Sequence, residues 1–195
     1  MTETETLNDL PILLFESTAA WADWLAANHE SSSGVWLRHA KKAAALQSIS
    51  YAEALEVALC YGWIDSHKKR YDDDSWVQKW SPRTRKSIWS KVNRQKVEDL
   101  IAAGQMQPAG LQAIEQARQD GRWDAAYDSQ STASVPEDLQ AALDASPAAS
   151  AFFATLRGAN RYAILFRVQT AKKPETRARR IAQFITMLEN HETLH

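Results

Sequence analysis

The sequence predicts an α+β protein: a small β-sheet or hairpin packed with helices in the N-terminal part, followed by an all-helical C-terminal region. Three observations carry this. A period-two pattern runs through Trp63-Ile64-Asp65-Ser66-His67 and resumes from Ser75 to Ser81, with polar Lys68 to Asp74 between, which spells a hairpin. Ser50-Tyr51-Ala52-Glu53 is a capping box, in which serine and glutamate satisfy orphan backbone donors of a helix reciprocally. All eight tryptophans lie between Trp21 and Trp123, and an Ala-rich tail with helical spacing follows.

Taken in order, Ile12 to Phe15 reads as a short buried strand bounded by Pro11 and Ser17. Ser17 caps a helix on which Trp21, Trp24, Leu25 and Asn28 share a face. Ser31 to Gly34 ends it, and Val35 to Arg38 is a second strand. The capped helix after Ser50 turns Ala54, Leu55, Ala58 and Leu59 inward and stops at Gly62, a natural C′ residue. Strand pairing ends at Pro82, which has no N–H to donate. Trp89, Val92, Lys96 or Val97, Leu100 and Ile101 mark the next helix, closed by Gly104. Pro108 opens another, with Leu111, Ile114 and Ala117 inward.

The polar, Ser-rich stretch after Trp123 divides the chain. Residues 1–127 form a Trp-rich α+β domain, 128–134 a linker and 135–195 a helical domain. In the last, Ser134 and Glu137 bracket a possible capping box, and Ser146-Pro147 reads as an N-cap with proline at N1. Tyr162 to Phe166 fits a strand as well as a helix, with the helix preferred among helical neighbours. Ile181, Phe184, Ile185 and Leu188 make an amphipathic stripe.

Composition narrows the function classes. A net charge of −1 over 195 residues gives no overall pull toward nucleic acid or acidic membrane. No apolar run reaches the roughly 20 residues of a membrane helix, so no membrane insertion is expected. The polar, acidic start from Met1 to Leu7 lacks the features of a secretory signal, so the expected location is cytoplasmic. Cys60, the sole cysteine, permits neither an intrachain disulfide nor a cysteine metal cluster, and on the inner face of its helix it reads as inert packing.

No dinucleotide or Walker fingerprint occurs, so no cofactor is expected. Asp72-Asp73-Asp74 lacks the glycine and downstream glutamate of a calcium loop, which leaves a solvated turn and no metal. Asp65 and His67, two apart on a strand, are the one close carboxylate–imidazole pair. No catalytic residues are assigned.

The strongest signal is basic and aromatic. Between Ser75 and Val97 stand seven Lys or Arg and no Asp or Glu. Arg83 and Lys86 precede a helix whose free N–H groups favour anions, Ser87 or Ser90 caps it, and Trp63 and Trp89 offer a flat wall. The expected ligand-binding residues are therefore Trp63, Asp65, Arg83, Lys86, Ser87, Trp89 and Asn93. The expected partner is a small anionic ligand or an acidic protein segment, in a non-catalytic binding protein. The alternatives are nucleic acid, tracked by interleaved cations and rings, or an enzyme of unrecognised type.

Several blocks resemble one family: Gly62-Trp63-Ile64-Asp65; Pro82-Arg83 with Ser87-Ile88-Trp89-Ser90-Lys91-Val92-Asn93; Gly104 to Gly110; Gly121-Arg122-Trp123; and Ala171 to Ile181. Together they resemble the YdeI/OmpD-associated, or bacteriocin-protection, family across nearly the whole chain. The resemblance implies a small α+β unit with a helical tail and a role in tolerance of bacteriocins or envelope stress. It brings no catalytic residues with it.

Overall fold

The computed structural model describes residues 5–195. The chain divides into two compact units, Met1–Ser87 with Gln95–Trp123, and Ile88–Arg94 with Asp124–His195. The first is α+β and the second is mainly helical, as the sequence predicts.

The first unit is built on a five-stranded sheet in the order β1-β2-β3-β5-β4. Strands β1 (Thr6–Leu7) and β2 (Leu10–Leu13) form a tight hairpin through Asn8 and Asp9, both at positive φ. This is the two-residue turn whose backbone twist suits paired strands. The strand expected at Ile12 to Phe15 thus begins earlier, contains Pro11, and is half-buried. Helix α1 (Thr18–Asn28) carries the chain over to β3 (Val35–Ala40), which runs parallel to β2. Ser17 caps α1 by accepting the N–H of Ala20 at 3.2 Å.

Helix α2 (Tyr51–Cys60) has the full capping box: Glu53 N–H donates to Ser50 Oγ at 3.2 Å, and Ser50 N–H to Glu53 Oε2 at 2.7 Å. Gly62, at φ +72°, turns the chain into β4 (Trp63–Arg70), which pairs with β5 (Ser75–Pro82). The turn between them is shorter than the polar run suggested. Asp72 closes it, accepting from Asp74 N–H and Ser75 Oγ and pairing with Arg38 at 2.6 Å. β4 is the outer strand, and its residues Ser66 to Arg70 are exposed.

Strand β5 lies antiparallel to β3, placing Val35 opposite Trp80, Leu37 opposite Gln78 and His39 opposite Trp76. Opposed residues share a face. Here that face meets rings from α1: Trp21 lies 6.4 Å from Trp80 and 6.4 Å from Trp63.

Helix α3 (Lys91–Ala102) starts later than the apolar spacing implied. Trp89 precedes it in a non-helical stretch, held because Trp89 O accepts the N–H of Tyr127 and Tyr127 O accepts that of Lys91, each at 2.9 Å. Val92 and Ile101, expected inward, are exposed. So is Leu111 on α4 (Pro108–Gln119), which buries Ile114 and Ala117 as expected, and Gly110 with them.

In the second unit α5 (Glu137–Asp144), α6 (Pro147–Thr155), α7 (Gly158–Gln169) and α8 (Pro174–Glu189) enclose Leu139, Leu143, Phe153, Ile164, Phe184 and Leu188. The ambiguous stretch around Tyr162 to Phe166 is helical. Ser146 caps α6 as expected, whereas the capping box at Ser134 does not form. Pro136 takes the N-cap position in extended backbone, and Asp138 pairs with Arg177 at 2.5 Å. Asp128 is a local hub: it pairs with Lys91 at 2.6 Å, accepts Gln169 Nε2 at 2.7 Å, and its carbonyl accepts the Tyr162 hydroxyl. Lys91 first, and then Gln169, hold its carboxyl below the ordinary carboxylate range. No helix among the described residues is long and apolar enough to cross a membrane.

Candidate functional site

The residues expected to bind ligand fall into both units. In the first, Trp63 is 1% exposed, stands edge-on to Trp21 and Trp24, and donates Nε1 to His29 O at 3.4 Å. Its indole is packed inside the protein and offers no open wall. Asp65 accepts the Tyr51 hydroxyl at 3.0 Å and Gln78 Nε2 at 3.4 Å. Arg83 N–H donates to Gly62 O at 2.9 Å. Ser87 does not cap a helix: its Oγ accepts the N–H of Thr84 at 3.0 Å, closing a four-residue loop on which Lys86 is exposed.

That loop is clamped by Arg122, which donates Nη1 to the carbonyls of Thr84 and Ser87 at 3.1 and 3.0 Å and grips Asp120 through Nε and Nη2. In the second unit Trp89 is also 1% exposed, and Asn93 N–H donates to Ser90 Oγ at 3.0 Å, which caps α3. Among the cations of this segment, Lys91 pairs with Asp128 and Lys96 with Glu56.

A different group of residues in the first unit surrounds open space. A cavity of about 550 Å³ is lined by Glu16, His39, Lys42, Ser48, Ile49, Tyr51 and Trp76, among others. His39 is brought there by the register of β3 against β5, and the chain after β3 folds back over it. Ala40 N–H donates to Ser48 Oγ at 2.8 Å, and Ile49 N–H to Phe15 O at 2.9 Å. The imidazole is 2% exposed and stacks on Trp76, with centroids 4.6 Å apart. Lys68 Nζ lies 4.0 Å over the Trp76 ring, a cation–π contact.

His39 Nδ1 lies 3.0 Å from Ile49 O. A carbonyl only accepts, so this nitrogen carries the hydrogen. Nε2 is buried and has no hydrogen-bond partner among the described residues. Buried polar atoms are nearly always paired, so an orphan of this kind marks a place to look for a ligand. Burial pushes the His39 pKa down, the positive charge of Lys68 pushes the same way, and the Ile49 hydrogen bond opposes them.

Stability should therefore depend on pH in a stated direction. An unfolded histidine takes up a proton near pH 6.5 that folded His39 refuses. Stability thus falls as pH drops below about 6.5, by at most about 1.4 kcal/mol per pH unit, until His39 itself protonates. Lys68, Lys42, Glu16 and Tyr51 are the other titratable groups around it. Urea unfolding followed by tryptophan fluorescence at several pH values should show this slope, flattened in His39→Phe. An identical slope in both proteins would place the titration elsewhere.

The expected Asp65–His67 pair is not made. Asp65 pairs with Trp80 and Lys68 with Gln78, so two residues of β4, Ser66 and His67, are set against one of β5, Lys79. This irregularity inserts one residue and moves Lys68, rather than His67, onto the face of Asp65. Sequence reasoning also missed His39, ending its strand at Arg38. The available signal was a histidine continuing the inward alternation Val35, Leu37, His39.

Elsewhere the chemistry is quiet. Burial pushes the Cys60 thiol up, which keeps it protonated and unreactive. Among the described residues no three His, Cys, Asp or Glu are placed to hold a metal ion. A second cavity, of about 750 Å³ between α5 and α8, has a wall that is half alanine and isoleucine; its Asp138 and Arg177 pair with each other, and its Glu189 accepts from Ser146 Oγ.

Residues 13–113 match the family model described as a domain of unknown function, DUF8412. Residues 132–191 match the model described as bacteriocin-protection, YdeI or OmpD-associated. That second match is narrower than the sequence resemblance: of the blocks that carried the resemblance, only Ala171 to Ile181 lies within it. No curated protein and no solved structure matches the chain.

Proposed function

We propose, for a chain that belongs to the DUF8412 family and carries a bacteriocin-protection, YdeI or OmpD-associated domain, that its first unit is a non-catalytic small-molecule binding module. The observation that carries this reading is the cavity of about 550 Å³ with buried His39 at its wall and Nε2 unpaired. Its size lies within the range of small-molecule sites, and it combines aromatic rings with a few polar groups, as such sites do. The test is a fragment screen by two-dimensional ¹H–¹⁵N NMR on the full chain. Hits should move the signals of Ile49, Tyr51 and the Trp76 indole together, and His39→Phe should weaken them. Hits that leave those signals still would sink the reading.

A second reading keeps the basic segment as a docking point for an acidic protein segment. It is favoured by Arg85 and Lys86, both exposed and without an ion pair among the described residues. Binding of that kind weakens steeply as salt is raised, whereas binding of an uncharged molecule in the His39 cavity does not.

A further inference from the structure

We infer that the ligand of the His39 cavity is an uncharged molecule that donates a hydrogen bond, such as a primary carboxamide, and that it is selected against carboxylates. The inference rests on the reading of this cavity as a binding site and adds the chemistry that it selects.

The polar groups around the cavity decide the class. Ser48 Oγ accepts the N–H of Ala40 at 2.8 Å and lies 3.2 Å from Ile49 O, to which it donates. Ser50 Oγ accepts the N–H of Glu53, and the Tyr51 hydroxyl donates to Asp65 at 3.0 Å. These groups already serve the protein. His39 is different: its Nδ1 hydrogen is directed to Ile49 O, which leaves Nε2 with only a lone pair.

A lone pair accepts, so its complement is an N–H or O–H on the ligand. A carboxylate brought to the same place sets lone pair against lone pair unless the imidazole first takes up a proton. Burial and Lys68 oppose that uptake. Of the charged side chains at the wall, Glu16 repels an anion and Lys42 attracts one, so the unprotonated Nε2 is what decides against the carboxylate. Nε2 is buried, so a donor reaches it only when side chains at the wall move, the kind of rotamer change that is common on binding.

Three probes of one shape class test this: benzamide, N,N-dimethylbenzamide, which lacks the N–H, and benzoate, which is anionic. Titrations follow the histidine ring ¹⁵N signals and the backbone signals of Ile49 and Tyr51 at about pH 7.5, where neutral imidazole dominates. Benzamide should bind and shift His39 Nε2. The dimethyl compound should bind at least tenfold more weakly and leave Nε2 still. Benzoate should bind only as the pH is lowered.

In His39→Phe the preference for benzamide over its dimethyl analogue should vanish. The Nε2 signal of the unaltered protein decides the matter even if that variant does not fold. Equal binding of all three probes at these residues leaves the cavity a site but overturns the donor rule. A preference for benzamide that persists in His39→Phe, or an unmoved Nε2, also overturns it. If no probe moves Ile49, Tyr51 or Trp76, the site itself is wrong and this inference falls with it.

Discussion

Alanine in place of Trp21 is expected to lower the stability of the first unit by about 3–5 kcal/mol, the range for deleting a fully buried large aromatic. Trp21 is 0% exposed and lies 5.4 Å from both Phe15 and Trp24, and 6.4 Å from both Trp63 and Trp80. Its removal therefore strips contacts from both the helix and the sheet. It also removes the hydrogen bond that Trp21 Nε1 donates to Ala54 O at 3.1 Å. At roughly 2–4 °C per kcal/mol for a protein of this size, the melting temperature falls by about 10 °C. Trp21→Phe keeps part of the ring packing and should recover some of that loss. Near-UV circular dichroism during heating measures both, and a shift in Trp21→Ala of only a degree or two would mean that the ring cluster is not the core of this unit.

Gly110→Ala should cost nearly as much from a single methyl group. A Cβ there would stand 2.2 Å from Cys60 O and 2.8 Å from Cys60 C, which are backbone atoms that cannot swing aside. Gln107 N–H also donates to Cys60 O at 3.0 Å, so α4 is fastened to the end of α2 just where the new methyl would push them apart. The expected loss is about 3 kcal/mol, the upper end of overpacking costs. Gly104→Ala is the control. It has positive φ but nothing within 4 Å of the added carbon, so it should lose only about 1 kcal/mol from backbone strain. Urea midpoints measure the pair, and equal losses would show that close approach of α4 to α2 is not what requires Gly110.

What could be read from the sequence was decided locally. The caps at Ser17, Ser50 and Ser146 and the stop at Gly62 depend on neighbours within a few positions, and each stands where the pattern put it. What could not be read was decided by distant partners. Trp89 has helical spacing with Val92 but is held outside the helix by Tyr127, far along the chain. Ser87 has the chemistry of a cap, yet the clamp from Arg122 makes it close a loop instead. The irregularity in β4 changes which residue faces Asp65, and no run of amino acids announces it. The candidate site suffered most, because Glu16, His39, Ile49 and Trp76 come from four separate stretches, brought together by sheet register and by the chain after β3 folding back onto Phe15.

The outer strand β4 has a consequence for how copies of this protein behave when crowded. A sheet edge is an open row of amide donors and acceptors, and a second sheet can grow onto it. On β4 the residues from His67 to Arg70 include three full positive charges, and the strand is irregular between Asp65 and Lys68. Two such edges meeting would set like charges against each other and would not find matching registers. The feature that spoils the reading of alternation is thus also a guard against fibrous growth. Its electrostatic half weakens as salt shortens the reach of the charges to a few ångströms, while its geometric half persists.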